Sequence, residues 1–211
     1  YVIASKYDFW FLNADLSPKF HAAMDPWFSA NVLDLVGITA LDKDAYVLMG
    51  SNKSLLRVRQ NPEADDVQGW PNFRARIDTE RAKFSYIHSS ATDGRYVFMA
   101  TVPDNKNKKQ FVISKALMKD WMLSGEFVPT AEMLKKDRSL GELYVTGMVY
   151  EDGKLYAVSK NWNVLVVIDV AQEAVVEAWG LPEELTDIRG LVKDGSTFEV
   201  IDANRVVKLT M

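Results

Sequence analysis

The stretch from Thr146 to Val170 recurs in fainter copies along the chain, and that periodicity restricts the fold more than composition does. Within it, apolar runs break at Glu151-Asp152-Gly153 and at Lys160-Asn161-Trp162-Asn163. Short runs rich in Val, Ile, Leu and Tyr between Asp-Gly and Asn-containing turns predict antiparallel strands A, B and C joined by hairpins. A fourth, D, is expected over Ala174 to Trp179.

Val36-Gly37-Ile38 and Asp42 to Tyr46 overlay Thr146-Gly147-Met148 and Asp152 to Tyr156 at an offset of 110 residues (Tyr46 against Tyr156). The register holds without a gap through Leu55 to Val58 against Leu165 to Ile168. A third copy starts at Ile87-His88, turns at Asp93-Gly94-Arg95, and reaches Phe111-Val112-Ile113 after a longer hairpin over Pro103 to Lys109. Another opens at Arg189-Gly190-Leu191, turns at Asp194-Gly195, and ends with Val206 to Thr210. The first residues supply a partial copy: Tyr1 to Lys6 matches strand B and Phe9 to Asn13 matches strand C, with no strand A before them.

Repeats of this length, each with three or four strands, predict an all-β fold: a small β-propeller of about five blades, the first incomplete. The chain reads as one domain, 1–211, with blades near 1–35, 36–86, 87–145, 146–188 and 189–211. A β-sandwich also has short strands and many turns, but it gives no ungapped self-match of this length. Short helices are expected as decoration over Ala116 to Leu123 and over Pro129 to Lys136, with Thr130 as the cap of the second.

The blade pattern Gly147-Met148-Val149-Tyr150-Glu151-Asp152-Gly153-Lys154-Leu155-Tyr156, with Val167-Ile168-Asp169-Val170 after it, resembles bacterial propellers of the broad SdiA-regulated, NHL and YVTN repeat class. The resemblance implies a fold shared by binding modules, scaffolds and a minority of enzymes, and it implies no particular reaction.

The absence of Cys excludes disulfides, thiol catalysis and Cys-ligated zinc, and two His residues are too few for a multi-histidine metal site in one subunit. No nucleophile elbow, zinc-protease helix, phosphate loop or dinucleotide fingerprint occurs, so no cofactor is expected. A net charge of −4 and a pI near 5.3 argue against nucleic acid as a partner. Asn61 to Asp66 reads as a solvated acidic loop without the alternating carboxylates of a calcium site. The start at Tyr1 suggests a mature or excised domain, exported or periplasmic, with a possible membrane tether upstream.

Turns of a propeller sort by face. The A–B turns, Asp42-Lys43-Asp44, Asp93-Gly94-Arg95, Glu151-Asp152-Gly153 and Lys193-Asp194-Gly195, are acidic on balance. The B–C turns carry Lys6, Lys53, Lys106, Lys108, Lys109, Lys160 and Arg205, and His88 and Arg189 begin A strands on the same face. Charged hairpins are ordinarily just solvated turns. The repetition of one sign in every copy nevertheless predicts a basic face that docks an acidic protein partner or a small anionic ligand. The expected site is Lys6, Tyr7, Lys53, His88, Lys106, Lys160, Trp162, Arg189 and Arg205, with Tyr7 and a solvent-facing Trp162 as aromatic anchors. The function expected is therefore non-catalytic binding or scaffolding. The alternative is a metal-assisted hydrolase of the lactonase type. Asp34 and Asp187, each three residues before a Gly, would then approach a hard cation; such ions want six or more oxygens, and Arg189 would compete.

Overall fold

The computed structural model describes residues 1–24, 26–32, 34–42, 45–52, 54–59, 73–76, 86–103, 109–132, 140–203 and 205–210. Two compact units divide the chain, Tyr1–Ile77 and Asp78–Met211. Each is built from antiparallel meanders in which every strand pairs with the next, the blades of a β-propeller. Among the described residues no helix is long and apolar enough to cross a membrane.

In the first unit, β1 (Val2–Ala4), β2 (Asp8–Leu12) and β3 (Pro18–Ala23) form one sheet. Among the described residues it holds strands B, C and D and no A strand, as the partial copy predicts. Helix α1 (Pro26–Asn31) leads into a second sheet of β4 (Leu35–Asp42), β5 (Ala45–Gly50), β6 (Ser54–Arg59) and β7 (Phe73–Arg76). Strand alternation puts Phe9 and Phe11 on one face of β2, where they join Phe28 of α1 with Leu48 and Leu56 in a shared core. Both rings meet Tyr46 edge-on, with centroids 6.2 and 5.7 Å away.

The second unit contains three sheets. The first is β8 (Ile87–Thr92), β9 (Tyr96–Thr101), β10 (Ile113–Leu117) and β11 (Leu123–Phe127). The next is β12 (Val145–Glu151), β13 (Lys154–Ser159), β14 (Val164–Asp169) and β15 (Ala174–Gly180). The last is β16 (Ile188–Asp194), β17 (Thr197–Asp202) and β18 (Arg205–Thr210). The inner strands β8, β12 and β16 lie side by side, β12 in the middle. Alternate residues of β14 face opposite ways, so Val166 and Ile168 enter one core with Phe98 and Phe111, while Leu165 and Val167 enter another with Phe198 and Val200. Burial on both faces is why this strand reads as a continuous apolar run.

The A–B turn of the fourth sheet in chain order, β12 to β13, is as tight as its Asp-Gly pair predicts: Asp152 and Gly153 take φ of 49° and 81°. Two successive left-handed residues match the twist of a two-residue hairpin.

Three expectations change. Residues 116–123 are not helical: β10 runs to Leu117 and a turn through Trp121, at φ 61°, returns the chain into β11. Ala116 is buried from the end of a strand and Trp121 from the turn, so the apolar residues need no shared helix face. Thr130 caps no helix among the described residues; it bridges Ala174 in parallel, its N–H donating to Glu173 O at 2.9 Å. The rest of that expected helix, 133–136, lies outside the described residues, as does the acidic loop 61–66. Trp162 does not stand in solvent: it is half-buried against the Phe98–Ile168 core, because the apolar indole area gains more from packing there than from hydration.

Candidate functional site

All four A strands begin with the same irregularity. Leu35 pairs with Gly50 but Gly37 with Met49; Ile87 with Thr101 but Ser89 with Ala100; Val145 with Ser159 but Gly147 with Val158; Ile188 with Asp202 but Gly190 with Ile201. One residue is left over each time: Val36, His88, Thr146 and Arg189. Bulges of this kind bend a strand and re-aim the side chain of the extra residue.

A backbone bond beyond each bulge fastens the same end. The residue after strand B donates its N–H to the carbonyl two residues before the bulge: Ser51 to Asp34 (2.7 Å), Val102 to Tyr86 (3.0 Å), Lys160 to Tyr144 (3.1 Å) and Ala203 to Asp187 (2.9 Å). The frame is thus constant among the copies while its side chains vary.

In the second unit this frame collects charged and polar groups. Lys160 Nζ donates to Asp187 Oδ1 at 2.8 Å. Arg189 donates to Asp187 Oδ2 from Nε at 3.0 Å and from a terminal nitrogen at 2.6 Å. The two cations hold the Asp187 carboxyl well below the usual carboxylate range, at about 2, with the Arg189 hydrogen bonds contributing most. Asp202, buried at the end of β17, accepts Asp187 N–H at 2.6 Å and Arg205 Nε–H at 3.1 Å, and Arg205 also donates to Glu184 O at 2.6 Å. On β8, His88 Nδ1 lies 2.7 Å from Val145 O, and its ring packs on Tyr144 with centroids 3.9 Å apart. Thr146 Oγ1, on β12 between the two neighbouring inner strands, is enclosed without a hydrogen-bond partner.

The remaining B–C turn residues are mostly fasteners. Asn161 accepts from Tyr144 N–H and Ser159 O–H at 3.0 and 2.7 Å and donates to Glu142 O, while Asn163 donates to Pro182 O at 2.8 Å. The acids of the opposite end also have a local role. Asp93 Oδ1 accepts the N–H groups of Arg95 and Tyr96 at 2.8 and 2.6 Å, the ordinary chemistry of an Asx turn.

Lys160, Arg189, Arg205 and His88 therefore share one end of the second unit. Lys6 and Tyr7 belong to the first unit, in the turn between β1 and β2; Tyr7 is 64% exposed, with Lys6 Nζ 5.8 Å from its ring centre. Asp34 also belongs to the first unit, and Asp187 to the second. Lys53 and Lys106 lie outside the described residues. The expected excess of positive charge is smaller than the turn sequences imply. Asp187 and Asp202 come into the same cluster, so Lys160, Arg189 and Arg205 face two carboxylates, leaving one net positive charge. Among the described residues, no group of three or more His, Asp or Glu is arranged to hold a metal.

No family model matches the chain, and no curated protein sequence matches it. Solved structures match in fold. Myxococcus xanthus glutaminyl cyclase aligns at 12% identity over 83% of this chain and 65% of its own, with a TM-score of 0.55. The Cps50 (Swd1) β-propeller domain of Myceliophteria thermophila aligns at 9% identity over 96% and 59%, with a TM-score of 0.53. Kuenenia stuttgartiensis hydrazine synthase aligns at 13% identity over 85% and 47%, with a TM-score of 0.51. This chain spans less than two thirds of each, and at these identities the likeness is one of fold alone.

Proposed function

We propose that this chain is a non-catalytic binding or scaffolding propeller, of the repeat class its blade pattern resembles, and that its B–C turn end docks an acidic protein partner or a small anionic ligand. The repeated bulge supports this reading most directly. A constant backbone device presents a different side chain at one position of each blade, Val36, His88, Thr146 or Arg189, which suits recognition more than a single reaction. Lys160, Arg189 and Arg205 supply cationic donors half or more exposed to solvent. In this reading Lys6 and Tyr7 are contacts of the first unit taken by itself, and Lys53 and Lys106 are further cationic positions of the sequence. Glutaminyl cyclase shows that an enzyme can use such a fold, but the hydrolase alternative is disfavoured here. A hard cation would have to displace both Lys160 and Arg189 from Asp187.

The test is association with a poly-L-glutamate surface. Reversing Lys53, Lys160 and Arg205 to Glu should slow association and weaken binding, most of all at low salt. Unchanged binding by the triple variant would overturn the proposal.

A further inference from the structure

We infer that the Asp187 carboxylate is a stand-in for the ligand: it occupies the place that a carboxylate of an acidic peptide takes, and docking proceeds by exchange. The inference rests on the binding role proposed above and names the ligand chemistry and its control.

The backbone around Asp187 does not depend on the carboxylate. Its N–H is held by Asp202 and its carbonyl by Ala203 N–H. At the equivalent position of the two preceding blades, Tyr86 and Tyr144 accept the same carbonyl bond with no carboxyl group at all. The side chain is thus additional to the frame, and rotation about its χ1 vacates the place without moving the strand.

That place has the chemistry of a carboxylate receptor. One oxygen is met by an ammonium from the turn after β13, and the other by two N–H groups of a guanidinium on β16, an arrangement suited to a planar two-oxygen anion. It is also open: the Lys160 and Arg189 side chains are 50% and 63% exposed, and that of Asp187 is 29% exposed. Ion pairs this accessible contribute little net stability, so an incoming carboxylate can exchange with the internal one. Arg205, reached through the shared contact with Asp202, offers a further cation for a second acidic side chain. A peptide with successive acids fits this better than a single carboxylate does.

The experiment measures fluorescence anisotropy of a dye-labelled six-residue glutamate peptide with the whole chain at low salt. Asp187→Asn keeps the size of the side chain and removes its charge. It should bind about three- to tenfold more tightly than the unaltered chain, the scale of one or two exposed ion pairs released from competition. Asp187→Ala should show the same gain, so that misfolding of one variant leaves the other to decide. Adding Lys160→Glu to either should remove the gain. If both Asp187 variants fold and bind no more tightly, while Lys160→Glu and Arg205→Glu still weaken binding, the stand-in is wrong and the docking surface stands. If neither the unaltered chain nor the Asp187 variants bind the peptide, the docking surface falls and the stand-in with it.

Discussion

Gly147→Ala should be among the most damaging single-methyl changes in this protein. An ideal Cβ on Gly147 would lie 2.5 Å from Gly190 C, 2.5 Å from Leu191 N and 2.8 Å from Gly190 Cα. All three are backbone atoms of β16, the neighbouring inner strand, and none can rotate away. Ordinary contact starts near 3.4 Å, so β12 and β16 must part locally by about 0.9 Å. Overpacking commonly costs about 1–3 kcal/mol, and a clash that must be relieved by backbone movement belongs at the upper end, about 3 kcal/mol. For a chain of this size that corresponds to a fall in Tm of roughly 6–12 °C. Gly190→Ala provides the internal control. Its Cβ would meet Ile201 Cδ1 at 3.1 Å, the end of a side chain that can shift, so the change should lie within about 1 kcal/mol of neutral. Calorimetry and urea unfolding of both variants decide the matter. Equal Tm values, or a greater loss in Gly190→Ala, would refute the close approach of the two strands.

Asp187 should remain ionised in acid, with a carboxyl carbon resonance titrating near 2 against the ordinary 3.8. Because the folded pKa is the lower, its ionised form stabilises the fold above about pH 4 and that contribution fades as pH falls through 2; an ordinary titration midpoint would contradict the two-cation contact. Lys193, whose side chain is only 10% exposed, pairs with Glu151 and lies 5.2 and 5.5 Å from the ring centres of Tyr156 and Phe198. Lys193→Ala should lower unfolding free energy by about 1–3 kcal/mol, with Lys193→Met recovering the packing share of that loss; equal Tm values for Lys193→Ala and the unaltered chain would count against the contact. At net charge −4 the chain should pass through a DNA column at physiological ionic strength, and salt-sensitive retention would contradict the reading of its charge.

The strands and the fold were legible in the sequence because both are periodic. The 110-residue offset aligns β4, β5 and β6 with β12, β13 and β14 to within a residue at most boundaries, and Asp152-Gly153 announces its own turn. The turn into strand D of the 87–127 blade is not legible, and its sequence predicts a helix over Ala116 to Leu123, since Ala116 to Trp121 has no turn signal strong enough to mark a hairpin whose tight residue is a Trp. The site was half legible. Position along the repeat placed Lys160, Arg189, Arg205 and His88 at one end of their strands, because strand direction alone sorts turns by end. Which of them are paired was not, since Asp187 reaches Lys160 across 27 residues and Asp202 reaches back to Asp187 across 15. Those contacts depend on a bulge that turns one side chain out of register and on the approach of neighbouring inner strands, and both are properties of packing between blades. Trp162 shows the same division: its turn is legible in Asn161 and Asn163, but the core that draws the indole in is assembled from other strands.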